Sequence, residues 1–398
     1  MTDVTTTSSA ASPATSPALT TAAPPTSTTA PAPAHATRRA RFHPLRVAAL
    51  ERLTDDAVAV TFAVPDDLVE EFGFEPGQHL TLRAGLQGQE VRQSYSICQS
   101  RGAAGMERLR RVAVARVPEG RMSTFLNDVV AVGDVLEVMT PLGSFTCPTR
   151  PDGIRHHVAI AAGSGITPVL ALLTTALEEE PASRATLLFG NRRTSSIMFL
   201  EDLEDLKNRF GPRFHLVHVL SREAQDVELF NGRLDRERLA TIFASLMPVG
   251  DVDEWYLCGP HEMVTGAQAL LGERGVDPAH VHHEIFHVDD GTAPRRAVVI
   301  AEGAAPEATV TVTLDGRTTV IPMPSVEETI LEATLRVRPD APYSCTGGIC
   351  GTCRARLVSG EVRMDRNYAL EPEEVAAGIV LACQSHPMTP EVALDYDA

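Results

Sequence analysis

The chain has 398 residues, 43% hydrophobic and 22% charged, enough for two or three domains with cores of their own. A net charge of −17 excludes the basic face that nucleic acid or an anionic membrane requires, and no apolar run reaches bilayer-spanning length. Seven cysteines without a framework spacing fit a reducing cytoplasm better than a disulfide scaffold.

Residues 1–41 are nearly all Thr, Ser, Ala and Pro. Such a segment cannot bury enough apolar surface to offset its ordering entropy, which predicts a disordered tail. It lacks the apolar region of a secretory signal. Its Arg38, Arg39 and Arg41 resemble a transit peptide, but its prolines break the amphipathic helix that one needs.

From residue 42 to 150 the texture becomes β-rich. Leu45–Leu50, Val58–Val64, His79–Arg83, Ser94–Cys98, Val112–Val117 and Val135–Val138 are short strand candidates, punctuated by Pro76-Gly77 and Gly133-Asp134. That spacing predicts an antiparallel barrel. Within it, Arg92-Gln93-Ser94-Tyr95-Ser96-Ile97-Cys98 sets an aromatic ring and a hydroxyl beside a cation, the groups that stack and hydrogen-bond a flavin. The same stretch also suits a plain edge strand. Gly120-Arg121-Met122-Ser123 precedes a predicted helix over Phe125–Val130, whose start could hold a pyrophosphate or simply be capped by Ser123.

Residues 151–288 alternate between strand and helix. An apolar run, His157–Ala162, ends at Gly163-Ser164-Gly165 and leads into a helix over Pro168–Glu180. A strand at Ala185–Phe189, a helix at Phe199–Phe210 and strands at Phe214–Leu220 and Glu254–Leu257 follow. This is the pattern of βαβ units and a parallel sheet. The turn from Gly163 to Pro168 exposes backbone N–H groups at a helix start, a phosphate-binding geometry, though glycine there also serves tight turns sterically. Cys258-Gly259-Pro260 ends a strand where open α/β sheets bind ligands; a structural buried cysteine is the competing reading.

Residues 289–297 read as a linker, and residues 298–398 as a third domain. A hairpin around Asp315-Gly316 and a helix over Val326–Leu335 lead into Cys345-Thr346-Gly347-Gly348-Ile349-Cys350-Gly351-Thr352-Cys353, answered by Cys383. C-x4-C-x2-C followed by a distant cysteine is the plant-type spacing for a [2Fe–2S] cluster, whose two irons take four thiolates. Zinc also takes four thiolates, usually from two short hooks; only Cys350 and Cys353 form one here.

In order and spacing, the segments Ser94–Cys98, Tyr343–Arg356, Met364–Leu370 and Val380–Pro387 resemble the ferredoxin–NADP⁺ reductase superfamily with a C-terminal plant-type ferredoxin domain. The resemblance implies an antiparallel FAD barrel, an α/β parallel-sheet nucleotide domain and an α+β, β-grasp-like ferredoxin domain. It implies Tyr95 against the flavin ring, Ser96 and Ile97 beside its reactive edge, and Gly120, Met122 and Ser123 at the pyrophosphate. Gly163, Gly165, Thr167 and Pro168 would receive the dinucleotide, with Cys258, Gly259 and Pro260 at the nicotinamide. Tyr95, Ser96 and Cys258 are the catalytic candidates. Asn191, Arg192, Ser221 and Arg222 would meet the adenosine end, where two arginines favour the 2′-phosphate of NADPH over NADH.

The family pattern places arginine two residues before the tyrosine, but Gln93 stands there. Arg92 lies one residue earlier, on the opposite face of a strand. Either a bulge re-aims Arg92 towards FAD or another cation takes its role.

The resulting expectation is a cytoplasmic reductase that moves electrons from NAD(P)H through FAD and a [2Fe–2S] cluster to a protein acceptor. The resemblance implies a multi-subunit di-iron oxygenase of phenylacetate catabolism as that acceptor. Another oxygenase, hydroxylase or desaturase is the alternative acceptor, and a non-catalytic electron-transfer or redox-sensing role is the alternative to catalysis.

Overall fold

The computed structural model describes residues 40–287 and 307–398. The expected tail up to residue 39, the linker 289–297 and the first residues of the third domain lie outside the described residues. The described chain divides into two compact units, one of residues 40–287 with 342–353, the other of 307–341 with 354–398.

The first unit begins with six antiparallel strands: β1 (Phe42–Thr54), β2 (Ala57–Ala63), β3 (His79–Leu86), β4 (Gln89–Ser96), β5 (Leu109–Ala115) and β6 (Val135–Met139). Their order is β4-β3-β6-β1-β2-β5, and a bridge from Ile97 to Val112 joins the two edges. Joining the edges removes the exposed ladder that an open sheet would leave. Val58, Val60 and Phe62 point into the barrel core, whereas Ala57 and Ala59 enter the core of the neighbouring parallel-sheet region. Both faces of β2 are therefore covered, which is why it reads as a continuous apolar run. Helix α1 spans Arg121–Asp128, four residues earlier than the expected Phe125 start. Its N-cap is Gly120; Ser123 is not a cap, because its Oγ accepts from Val117 N and donates to Gly120 O, each at 3.1 Å.

The same unit continues as β7 (His156–Ala162), α2 (Ile166–Glu179), β8 (Arg184–Asn191), α3 (Leu200–Phe210), β9 (Phe214–Leu220), α4 (Arg236–Ser245), β10 (Glu254–Pro260), α5 (His261–Glu273) and β11 (Val281–His287). All five strands are parallel, in the order β11-β10-β7-β8-β9. The chain steps outward from β7 to β9, then returns to lay β10 on the other side of β7. That reversal opens a crevice above the C-terminal ends of β7 and β10. Helix α2 starts at Ile166 rather than Pro168. Pro168 is tolerated in the first turn because N–H groups there have no intrahelical acceptor. Helices α4 and α5 and strand β11 add to the elements expected from the sequence. The α4 start does carry a signal, Asp235, whose Oδ1 accepts from Arg238 N at 2.9 Å.

In the second unit, β12 (Ala308–Leu314) and β13 (Arg317–Met323) form the expected hairpin, with Asp315 and Gly316 both at positive φ. After them come α6 (Ile330–Leu335), β14 (Arg354–Ser359), β15 (Val362–Met364), α7 (Pro372–Ala376), β16 (Ile379–Leu381), β17 (Ser385–Pro387) and β18 (Glu391–Asp395). The main sheet runs β13-β12-β18-β14-β16, with β12 and β18 parallel and the other pairs antiparallel, so the sheet is mixed. Helix α6 starts at Ile330, later than the expected Val326, because Thr329 and Glu332 form a reciprocal capping box there.

Candidate functional site

Two turns meet at the crevice. Gly163, at φ +53°, opens a tight turn ahead of α2, and a Cβ on Gly165 would lie 2.2 Å from the Cys258 carbonyl oxygen. Only glycine lets the two backbones approach so closely. Thr167 Oγ1 donates to Ser164 O at 3.0 Å and fixes the turn. Cys258 is fully buried, and burial pushes its thiol far above the ordinary range, so it is a neutral packing group. Pro260 is exposed at the crevice mouth.

Farther along the same edge, Asn191 ends β8 with its Nδ2 buried and unpartnered. Its carbonyl accepts from Ser221 N at 2.9 Å, and Arg192 O accepts from Arg222 N at 2.8 Å. These bonds tether the two exposed arginines side by side, and no carboxylate lies within ion-pair distance of either among the described residues.

On β4, Tyr95 is half-buried, and burial raises its phenol above the usual value. Ile97 and Met122 belong to the barrel core, which leaves only their backbone free to meet a ligand. Arg92 is not re-aimed. The β3–β4 register runs unbroken from His79↔Ser96 to Leu86↔Gln89, so Arg92 stays on the face opposite Tyr95. There its guanidinium donates to Glu90 Oε1 at 2.8 Å and lies 3.9 Å from the centre of the Tyr343 ring. Another cation stands at the start of α1. Arg121 donates to Gln89 Oε1 and Leu86 O, while its Nε is buried without a partner.

Cys345, Cys350 and Cys353 lie on the segment that groups with the barrel. Thr346, Gly348 and Gly351 take positive φ values of +52°, +80° and +66°, folding the loop back so that Cys350 N donates to Cys345 Sγ at 3.3 Å. Thr352 Oγ1 meets His79 Nε2 at 3.3 Å. Burial lowers that imidazole to about 4, so it is neutral near pH 7. Cys383, buried on the turn between β16 and β17, belongs to the second unit. None of the seven cysteines is in a disulfide.

One residue not evident from the sequence motifs joins them. Glu284 on β11 accepts from Ser96 Oγ at 3.4 Å, pairs in register with Cys258, and interacts electrostatically with Cys350. Burial raises its carboxyl to about 8, so it is mostly protonated at neutral pH. A lone acidic residue in the His-rich run Val281–His287 gave no periodic signal.

Three family models cover most of the chain: an oxidoreductase FAD-binding domain at residues 44–147, an oxidoreductase NAD-binding domain at 159–269 and a 2Fe-2S iron-sulfur cluster binding domain at 312–388. Over 354 residues the chain is 42% identical to one of the component chains of 1,2-phenylacetyl-CoA epoxidase from Escherichia coli (strain K12), covering 89% of this chain and 97% of that one. It belongs to the FAD- and NAD-binding reductases that carry a C-terminal 2Fe-2S ferredoxin domain. The reductase is also 33% identical to the ferredoxin reductase component of 3-ketosteroid-9-alpha-monooxygenase from Rhodococcus rhodochrous, over 88% of this chain and 96% of that one. Its fold matches that of phthalate dioxygenase reductase with a TM-score of 0.54 at 23% identity, over 89% of this chain and 98% of that one.

The reductase is thus an NAD(P)H-dependent flavin and iron–sulfur oxidoreductase of the kind that serves oxygenases, with FAD and a 2Fe-2S cluster as its groups. Its residues fit them. Arg121 holds an orphaned buried Nε at a helix start, where a pyrophosphate is bound favourably. Asn191 has a spare amide, and a Cβ built on Gly163 would meet nothing within 4 Å, so the turn is open there. Four unbridged thiols lie within the matched cluster-binding domain. No helix among the described residues is long and apolar enough to cross a membrane.

Proposed function

We propose that this reductase takes electrons from NADPH and delivers them to a multi-subunit di-iron oxygenase that epoxidises phenylacetyl-CoA, in the cytoplasm. The observation that carries the electron route is the convergence of Ser96, Cys258 and Cys350, from three separate motifs, on Glu284. The proposed domains are a flavin barrel at 42–150, a nucleotide domain at 151–288 and a ferredoxin domain at 298–398. When bound, FAD converts a two-electron hydride from NAD(P)H into single electrons for the 2Fe-2S cluster.

The chain's own residues bind and orient. Tyr95 packs against the flavin ring, and Ser96 hydrogen-bonds its reactive edge. The α1 start, with Gly120 and Ser123, holds the pyrophosphate. Arg121 supplies the charge that the missing family arginine would give, since Arg92 is committed to Glu90 and Tyr343. Gly163, Gly165, Thr167 and Pro168 cradle the dinucleotide, with Cys258, Gly259 and Pro260 beside the nicotinamide. Asn191 and Ser221 meet the adenosine ribose. Cys345, Cys350, Cys353 and Cys383 ligate the cluster. Glu284 positions Ser96 and keeps a neutral carboxyl beside the transfer path.

Glu284→Gln tests that arrangement. The amide keeps a neutral hydrogen-bonding group, so flavin reduction should be nearly unchanged in it, whereas Glu284→Ala, which removes the acceptor for Ser96 Oγ, should slow it roughly tenfold with little change in KM for NADPH. An unchanged rate of flavin reduction in Glu284→Ala, measured by stopped flow, would remove Glu284 from the path. Arg222→Ala tests the nucleotide preference. KM for NADPH should rise roughly tenfold, the cost of one charge-assisted phosphate contact, while KM for NADH stays the same. Equal changes for both nucleotides would place Arg222 away from the 2′-phosphate.

A second acceptor, a different oxygenase, is favoured by the 3-ketosteroid-9-alpha-monooxygenase reductase relative at 33% identity. Affinity purification from the native host separates the two. Di-iron epoxidase components retained on the reductase support the first reading, and a different oxygenase overturns it.

A further inference from the structure

At the N-terminal edge of the parallel sheet, opposite the nucleotide crevice, potential metal ligands from three chain segments converge. Cys147 follows the barrel, Glu254 begins β10, and His282 lies at the start of β11. Their ligand atoms are all within 4.8 Å of one another. His282 Nε2 is 3.0 Å from Glu254 Oε2, and His280 Nδ1 is 3.4 Å from the same oxygen. A tetrahedral ion with bonds of about 2.0–2.3 Å sets its ligands roughly 3.3–3.7 Å apart. The two histidine–glutamate distances already stand near that spacing.

We infer that Cys147, Glu254, His282 and His280 form a zinc site that ties the end of the flavin barrel to the edge of the nucleotide sheet. The donor set selects the ion. One thiolate sulfur, two imidazoles and a single carboxylate suit a borderline transition cation, whereas calcium and magnesium demand oxygen ligands. Outer partners hold three of the ligands in place. Glu254 turns Oε2 towards the two imidazoles while Oε1 accepts from Arg155 Nη1 at 3.2 Å, and the His282 ring stacks on Tyr256 with centroids 5.4 Å apart. Arg155 Nη1 also donates towards Cys147 Sγ at 3.6 Å. Charge balances as well: with zinc bound, the ion and Arg155 together offset the Cys147 thiolate, Glu254 and Glu180, which Arg155 also contacts. Glu254 is only 5% exposed and His280 is 50% exposed, so the site has a buried floor and an entry path from solvent.

Zinc K-edge absorption on the holoprotein, after one equivalent of zinc and desalting, tests the site without interference from flavin or iron. The expected result is about one zinc per chain, with one sulfur near ~2.3 Å and nitrogen or oxygen neighbours near ~2.0 Å. Cys147→Ser should remove the sulfur shell. His280→Ala, on the half-exposed ligand, should weaken zinc binding at least roughly tenfold while flavin and iron contents stay unchanged. Zinc bound no better than in the Cys147→Ser/His280→Ala double variant overturns the proposal. So does an all-sulfur shell, which would locate the ion at Cys345–Cys353.

Discussion

Serine in place of Cys345, Cys350, Cys353 or Cys383 is expected to abolish the visible and EPR signals of the cluster, and with them cytochrome c reduction. Reduction of the bound flavin by NADPH should survive in all four variants. The cause is coordination: two irons need four thiolates, and a hydroxyl at one position is a poor substitute for a soft sulfur ligand. The Cys383→Ser variant discriminates most sharply. Cys345, Cys350 and Cys353 share a loop whose left-handed residues bring Cys350 N to Cys345 Sγ, whereas Cys383 comes much later in the chain, on the turn between β16 and β17. A normal cluster spectrum in that variant would mean that the fourth ligand is another residue. Loss of flavin reduction as well would mean that the thiols hold the fold rather than the electrons.

Glu180→Ala is expected to destabilise the reductase by about 3–5 kcal/mol, the cost of leaving a buried ion-pair partner uncompensated. Glu180 follows α2 and is fully buried; Arg155, His157 and Ser183 all bond to its carboxylate, the last two at 3.1 and 2.7 Å. Burial alone would raise its pKa, but hydrogen bonds from Arg155, Arg150 N, Ser183 and His157 outweigh it and hold the carboxyl down to about 2. A carboxylate with a depressed folded pKa contributes stability that is full above its unfolded value, about 4.3, and is lost as pH falls towards 2. Melting temperatures of wild type and Glu180→Gln should therefore converge as pH drops from 5 to about 3. A constant gap between the two over that range would show that Glu180 acts through packing rather than charge.

The largest difference between the sequence reading and the structure concerns Arg92. Its strand parity already placed it opposite Tyr95, and the unbroken β3–β4 register keeps it there. What no periodicity could reveal is its occupation, a ring of Tyr343 from 251 positions away in the chain and the carboxylate of Glu90. Arg121 was equally hidden: it sits inside a motif read for its glycine and serine, and only the buried, unpartnered Nε marks it as available for an anion. Helices α4 and α5 add to the elements expected from the sequence, although their buried residues, Leu239, Ile242 and Phe243 in the first and Met263, Val264, Ala267, Leu270 and Leu271 in the second, fall at helical spacing.

The family and its groups, FAD and a 2Fe-2S cluster, are legible in the sequence. The spacing of Cys345, Cys350, Cys353 and Cys383, the strand-to-helix turn at Gly163–Gly165 and the Tyr95-Ser96 pair are local patterns, and local patterns are set by coordination number, backbone sterics and side-chain type. The tertiary structure alone decided which residues share a space. Glu284 joins Ser96, Cys258 and Cys350, and Glu254 joins Cys147 and His282, because strand order in a parallel sheet brings together positions distant in the chain. Such meetings depend on long-range topology, for which a single chain carries no periodic trace.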